Sequence, residues 1–184
     1  MESEKELLDD IHGGSQDALH RLYERYVGYA MAIALRYVPL RDDAEDVVQD
    51  SFVKILSSIS RFQYRDEGSL KGWVMRIVAN EAVSFTRKQN KLTFVDEVPD
   101  DVEEVGPDVE RVPPQVLTRL IGELPEGYRL VLNMYVFEQL SHKEIAERLG
   151  IKESSSASQY LRAKKLLARK INEYINNQDN KEYE

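Results

Sequence analysis

Apolar residues recur at spacings of three and four in two stretches of the chain, and a strongly acidic strip separates the two stretches. The first long run of such positions comprises Leu19, Leu22, Tyr23, Tyr26, Ala30, Ile33, Ala34 and Tyr37. This period predicts an amphipathic helix over residues 16–37 that ends before Pro39. The strip, residues 92–111, holds eight acidic residues against one basic residue and has no helical period. We therefore predict an all-α protein of two small helical domains joined by an acidic flexible linker.

The helical patterns place these domains at residues 10–91 and 112–176, and the chain ends at residues 1–8 and 176–184 are predicted to fray. No stretch approaches the roughly 18 apolar residues of a membrane-spanning helix, so we expect no membrane span. The chain has no cysteine and three dispersed histidines, so neither disulfides nor a metal-ligand cluster is expected. These features favour a cytoplasmic protein without a metal or a cofactor.

The net charge of −8 is unevenly distributed along the chain. Residues 61–91 carry seven basic and three acidic side chains, and residues 160–170 carry five basic side chains and no acidic one. Charges more than about 10 Å apart are largely screened at ordinary salt concentrations. Both basic patches are therefore compatible with nucleic-acid binding despite the overall negative charge.

A second helix is predicted in the first domain, opened by a capping box of Asp42 and Glu45. Its core stripe comprises Val48, Phe52, Ile55, Leu56 and Ile59, and its outer face comprises Asp43, Asp46, Gln49, Asp50 and Lys54. A polar turn over residues 62–68 follows, with Phe62 and Tyr64 as its two aromatic residues. Ser69 is then predicted to cap a third helix. The predicted core stripe of that helix comprises Leu70, Trp73, Ile77 and Val78, and its other face presents Arg76, Asn80, Val83 and Arg87.

The second domain contains the sequence pattern of a helix-turn-helix. Ser141 and Glu144 form a capping box, and Gly150 is the residue expected in the left-handed conformation after the short helix. Ala146 is small, as required where the next helix crosses. Ser154 or Ser155 is predicted to cap that next helix, which runs to about residue 175.

The start of this last helix is predicted to face outward and to contact DNA. The predicted contact residues are Ser155, Ser158, Gln159, Arg162, Lys165 and Arg169. Short polar side chains at the start of the helix reach base edges, and basic residues further along reach phosphates. The alternative for this segment alone is a plain helical hairpin with a solvated basic face.

Four segments, in this order, resemble bacterial RNA polymerase sigma factors of the extracytoplasmic-function type. DAEDVVQDSFVKI (residues 43–55) is similar to the family's core-polymerase-binding helix, and GWVMRIVANEAVSFTRK (residues 72–88) resembles its −10 reading helix. LPEGYRLV (residues 124–131) and LSHKEIAERLGI (residues 140–151) resemble its −35 reading domain. The sequence departs from the family's usual residues at Ser84, Ser156 and Ala157.

The resemblance implies a role for each group of candidate residues. Asp43, Asp46, Gln49 and Asp50 would dock on the clamp helices of the largest subunit of core RNA polymerase. The turn with Phe62 and Tyr64, together with Asn80, would capture an unstacked base of the −10 element. Arg76, Arg87 and Lys88 would hold phosphates. The second domain would read −35 duplex DNA near the flap region of the polymerase, and an anti-sigma factor is an expected partner.

The sequence therefore predicts a sigma factor that directs core RNA polymerase to promoter DNA, and not an enzyme. One alternative is a helix-turn-helix regulator that binds DNA without polymerase, which leaves the acidic helix face and the base-capture turn unexplained. Another is a helical hydrolase that uses the acidic residues at positions 42–46. Adjacent acidic residues on one helix diverge by about 100° each, which disfavours a shared metal site.

Overall fold

The computed structural model describes residues 2–89 and 108–181. Within these residues the chain forms eight α-helices and two short 3₁₀ helices, and no strand. The all-α prediction is confirmed. The chain divides into two compact units, Met1–Gln89 and Asn90–Glu184. Most of the predicted acidic linker lies outside the described residues.

The first unit is built from four α-helices. These are α1 (Glu4–His12), α2 (Gln16–Tyr37), α3 (Arg41–Ser58) and α4 (Ser69–Gln89), with a 3₁₀ helix at Ile59–Arg61 after α3. Helix α2 has the predicted bounds and packs against both α3 and α4. Its apolar stripe supplies the centre of the core: Leu22, Ala30 and Ala34 are fully buried. Small residues at positions 30 and 34 let the neighbouring helices approach α2 closely.

Three predicted details of α3 and α4 are wrong. Helix α3 starts at Arg41 after Leu40, so Asp42 is already helical and cannot serve as the N-cap. Leu56, predicted as core, is 42% exposed. Ser69 is the first residue of α4 rather than its cap, and its hydroxyl donates to the carbonyl of Asp66 at 2.7 Å. The acidic side chains in the first turn of α3 still interact favourably with the helix dipole.

The prediction of a frayed N-terminus is also wrong, because residues 4–12 form α1. Ser3 and Glu6 form a reciprocal capping box at its start. Leu7 and Leu8 are buried in the core of the unit. Their burial supplies the apolar contact that a helix of nine residues needs in order to persist in water.

The second unit also contains four α-helices. These are α5 (Pro114–Gly122), α6 (Glu126–Val136), α7 (His142–Leu149) and α8 (Glu153–Lys181), with a 3₁₀ helix at Val109–Arg111 before α5. Helix α8 continues past the predicted end near residue 175, so the C-terminal segment that was predicted to fray is helical as far as Lys181. Ile171 and Ile175 on α8 pack with Val112 and Leu120 in a buried cluster. That cluster anchors the C-terminal half of the helix.

The predicted helix-turn-helix is present in α7 and α8. The Ser141–Glu144 capping box is formed, and Gly150 adopts φ 69° and ψ 35°. This left-handed conformation is strained for residues with a Cβ, so glycine allows the reversal between the two helices. Helix α8 begins at Glu153, which places Ser154 and Ser155 inside the helix rather than at its cap. In the part of the chain that is described, none of the helices is both long and apolar enough to traverse a lipid bilayer.

Candidate nucleic-acid interfaces

An open cavity of about 570 Å³ lies where the loop after α3 meets the start of α4. Its aromatic walls are Phe62 from the loop and Trp73 from α4, whose ring centroids are 5.1 Å apart at an angle of 43°. Arg61, Arg65 and Arg76 also line it. Aromatic faces next to cationic groups are the features that bind unstacked bases and their phosphates. The cavity is therefore a candidate site for single-stranded nucleic acid.

The structure brings only some of the predicted −10 residues into this cavity. Phe62 and Arg76 line it. Asn80 is exposed one helical turn after Arg76, and Arg87 and Lys88 are exposed in the last turn of α4. These three residues extend the polar face of α4 away from the cavity. Trp73 was predicted to point into the core, but it is only half-buried and forms a cavity wall.

Tyr64 lies beside the cavity lining rather than in it. Its ring is half-buried, and burial, together with the negative charges of Glu67, Glu4 and Asp66, raises the pKa of its hydroxyl. The hydroxyl therefore stays protonated and can donate a hydrogen bond. Glu67 accepts such a bond from it. Tyr64 thus supports the loop from the side of the acidic residues.

The outer face of α3 combines acidic and apolar side chains. Asp46, Gln49 and Asp50 are exposed as predicted, and Asp43 is half-buried. Val53, one turn beyond Asp50, is 68% exposed. Leu56, in the next turn, is 42% exposed. The sequence pattern predicted the acidic side chains of this face but not its exposed aliphatic ones.

Lys54, assigned to the same outer face, has a structural role. Its ammonium group pairs with the carboxylate of Glu81 on α4. The Glu81 side chain is 8% exposed, whereas that of Lys54 is 58% exposed. A buried carboxylate is destabilising unless it is paired. This ion pair therefore satisfies Glu81 and holds α3 against α4.

The solvent-facing stripe of α8 is offset from the predicted DNA-contact stripe. Gln159, predicted to face outward, is 4% exposed, because it lies on the same face as Ser156 and Ala163, which are fully buried. Ser158 is exposed and Ser155 is half-buried. Arg162 and Lys165 are half-buried, and Arg169 is exposed. The solvent face instead includes Ser154, Ala157, Ser158, Leu161 and Lys164.

A polar pair joins the two helices of the helix-turn-helix. Ser156 is fully buried, and its hydroxyl lies 3.0 Å from Nδ1 of His142 at the start of α7. The His142 ring stacks on Tyr135 with centroids 4.5 Å apart and an interplanar angle of 15°. The ring centroid of Tyr135 also lies 4.3 Å from that of Tyr160 on α8. The buried hydroxyl of Ser156 therefore has a hydrogen-bonding partner in His142.

A helix-turn-helix in one unit and an aromatic, arginine-lined cavity in the other are typical of a helical DNA-binding protein. Two family models match the chain, Sigma-70 region 2 over residues 22–92 and Sigma-70 region 4 over residues 115–167. These matches cover α2 from Leu22 onward, all of α3 and α4, and more than half of the second unit. They leave α1 outside the matched residues.

Curated relatives are similar over most of the chain. The RNA polymerase sigma factor SigV of Bacillus subtilis (strain 168) is 32% identical over 136 residues, which are 73% of this chain and 80% of SigV. The ECF RNA polymerase sigma factor SigM of the same organism is 25% identical over 167 residues, 87% of this chain and 99% of SigM. A solved structure of CnrH in complex with the cytosolic domain of CnrY is 24% identical, with a TM-score of 0.47, and the match covers 90% of this chain and 95% of that chain.

The chain belongs to the extracytoplasmic-function group of RNA polymerase sigma factors in the sigma-70 family. The predicted function of promoter-directed transcription initiation is thereby confirmed. The alternative of a helix-turn-helix regulator that acts without polymerase has no support from these relatives.

Proposed function

We propose that the two units of this sigma factor divide promoter recognition between them. The cavity that Phe62 and Trp73 line captures an unstacked base of the melted −10 element, and the exposed start of α8 binds the −35 duplex. The outer face of α3 binds core RNA polymerase. The observation that carries the proposal is the cavity itself, in which two aromatic rings and three arginines meet at one open surface.

Capture of a base in this cavity is energetically reasonable. Extruding a base from a duplex costs a few kcal/mol, and stacking on an aromatic side chain returns about 1–3 kcal/mol per base. Arg61, Arg65 and Arg76 supply charge for the flanking phosphates. Asn80 lies next along α4 and offers an amide that both donates and accepts hydrogen bonds. Arg87 and Lys88 continue the phosphate-binding track at the end of the helix.

Docking to core polymerase uses Asp43, Asp46, Gln49 and Asp50 on α3. Reversal of two exposed charges, Asp46→Arg with Asp50→Arg, leaves the buried stripe of the helix intact. Exposed substitutions usually change stability by about 0.5 kcal/mol or less. The variant is therefore expected to fold normally and to lose most of its affinity for core polymerase. Retained co-purification with core polymerase would refute this assignment.

Binding to −35 DNA rests on Ser155, Ser158, Arg162 and Lys165 with the neighbouring exposed side chains of α8. Gln159 is not part of this surface, because it is buried among Ser156 and Ala163. The start of the helix carries short side chains that leave room for close approach to base edges. An anti-sigma factor as inhibitor stays a prediction that follows from family membership.

Transcription from a promoter library tests the division of roles. Core RNA polymerase with this protein is given templates with randomised −35 and −10 elements, and the transcribed templates are sequenced. The expected result is enrichment of two short motifs at a fixed spacing. Enrichment of only one of the two motifs would contradict the division of promoter recognition between the two units.

A further inference from the structure

Helix α1 carries a buried carboxylate, although it lies before residue 22, where the match with the region 2 family begins. The Glu4 side chain is 2% exposed. Its Oε2 accepts hydrogen bonds from the backbone N–H groups of Gly68 and Leu70, both at 2.9 Å. Its Oε1 accepts from the N–H of Lys71 at 2.9 Å and from the hydroxyl of Tyr26 at 2.8 Å. Four donors therefore surround this one carboxylate.

The three N–H groups lie at the start of α4. The first N–H groups of a helix have no partner within the helix, and the positive end of the helix dipole favours a negative charge there. Burial raises the pKa of Glu4, but the hydrogen bonds from Leu70, Lys71, Tyr26 and Gly68 lower it more, so the net pKa lies below its ordinary value. The carboxylate is thus ionised at neutral pH, and all four hydrogen bonds are charge-assisted.

The contact is reciprocal between the two helix starts. The backbone N–H of Glu4 donates to the carboxylate of Glu67, at 3.1 Å to Oε2 and 3.3 Å to Oε1. Glu67 also pairs with Arg25 on α2 at 3.3 Å, and Arg25 donates to the carbonyl of Glu2 at 3.0 Å. Helix α4 is therefore capped by a carboxylate from α1, and the start of α1 is capped by a carboxylate from the loop just before α4. Arg25 links both to α2.

The capped turn of α4 is also a wall of the cavity. Leu70 and Lys71 donate to Glu4, while Ser69, Gly72 and Trp73 of the same turn line the cavity. Gly68, the last residue of the loop that begins with Phe62, has φ +97° and donates to the same carboxylate. Movement of this turn would separate Trp73 from Phe62. Glu4 therefore acts on the geometry of the cavity without lining it.

We propose that Glu4 is a positioning residue for base capture, and that α1 contributes to the −10 site by holding the first turn of α4 in place. This inference rests on the proposed function, in which the cavity receives a base. A residue that only stabilises the fold of the first unit would affect core binding and promoter opening together. A positioning residue affects promoter opening and the cavity itself, and it leaves core binding intact.

The test compares Glu4→Gln with Glu6→Gln in the full chain. Both changes replace one carboxylate of α1 by an amide of the same size. Glu6 is exposed and serves the local capping box, where glutamine is an accepted residue. Each variant is assembled with core RNA polymerase on a promoter from the library. 2-Aminopurine placed at successive −10 positions of the non-template strand then reports extrusion of the base.

Trp73, the only tryptophan of the chain, provides a second signal from the free protein. Glu4→Gln is expected to shift its emission, and to speed amide exchange at Leu70 and Lys71 about tenfold, because charge-assisted hydrogen bonds are lost. Base extrusion should slow by about tenfold, while affinity for core polymerase and for −35 duplex stays within about twofold. Glu6→Gln should leave all of these signals at their wild-type values.

Two results would overturn the inference. One is an unchanged 2-aminopurine signal in Glu4→Gln; the other is an equal loss of core binding and base extrusion. If Glu4→Gln does not fold, Tyr26→Phe decides instead, since it removes one of the four donors and keeps the buried ring. Its opening rate must then fall while core binding is kept. Normal extrusion in Phe62→Ala would instead reject base capture in the cavity, which separates failure of the proposed function from failure of this inference.

Discussion

The two units cap their functional helices in opposite ways. In the second unit, α7 is capped by Ser141 and Glu144, which are three residues apart. In the first unit, α4 receives its cap from Glu4, which is 64 to 67 residues away from the N–H groups that it binds. A local cap forms with its helix, whereas a distant cap forms only when the whole unit has folded. The geometry of the cavity at Phe62 and Trp73 therefore depends on tertiary structure, whereas the start of the helix-turn-helix depends on a local cap.

Removal of the distant cap tests the difference between the two units most directly. Glu4→Ala leaves four donors without their acceptor in a buried place. We expect the free energy of unfolding of the first unit to fall by about 3 kcal/mol. Hydrogen exchange resolved along the chain measures this, and the faster exchange should be confined to residues 2–89. Glu6→Ala removes one half of the local capping box of α1, keeps Ser3 as its N-cap, and is the control, with a smaller expected loss. Equal losses in the two variants would remove the distinction between distant and local caps.

Acid is expected to destabilise the first unit more than the second, through the contact of Glu4 with the start of α4. The pKa of Glu4 is lower in the folded state, so its stabilisation is complete above the unfolded pKa of about 4.3 and is lost as pH falls through the folded value. The side-chain and backbone groups of Ser141 also lower the pKa of Glu144, but Glu144 is exposed and water replaces its contacts. As pH falls below about 4.3, protonation of Glu4 should therefore shift the amide NMR signals of Leu70 and Lys71 and weaken the start of α4 more than protonation of Glu144 weakens α7, and Glu4→Gln should abolish the difference.

Sequence patterns predicted the structural features that depend on residues close together in the sequence. The period of α2, the Ser141–Glu144 box and the left-handed Gly150 were all predicted and are all present. The distant cap was missed, because one glutamate among several acidic residues at a chain end carries no local signal of burial. Trp73 was assigned to the core, because a large apolar residue on a helix is usually buried. Only the position of the loop at Phe62 shows that Trp73 forms a wall of a cavity.

The stripe of α8 was misassigned for a related reason. A polar residue such as Gln159 was expected to face solvent, as most glutamines do. The direction of the stripe is set by Ala163 and by Ser156, whose hydroxyl is satisfied by His142 on another helix. Polar residues that pair across helices look like surface residues in a sequence. The inward face therefore could not be predicted until the partner was placed.

A smaller effect separates the two DNA sites. Phe62→Ala removes one stacking wall, which is worth about 1–3 kcal/mol per base. Open complexes should therefore form about tenfold more slowly or worse, and binding to −35 duplex should be unchanged. Arg162→Ala on α8 is the matched change in the other unit. It should weaken −35 binding and reduce the salt slope by about one without a direct effect on base extrusion. Kinetics of 2-aminopurine emission and duplex binding at several salt concentrations measure the two effects. Loss of both functions in both variants would contradict the division.

The smallest expected effect concerns the polar pair inside the helix-turn-helix. Ser156→Ala leaves Nδ1 of His142 without its 3.0 Å partner, and His142→Ala leaves the buried hydroxyl of Ser156 without one. Each single change should cost about 1 kcal/mol, and the double change should cost less than the sum, with a coupling of about 0.5–1 kcal/mol. Urea unfolding of the four proteins measures this coupling. Because the pair joins α7 to α8 across the turn, the loss should appear as faster exchange at the start of α8, while the Ser141–Glu144 cap stays protected. Additive losses would mean that the two side chains act independently, and the second unit would then be held by its local caps and apolar core alone.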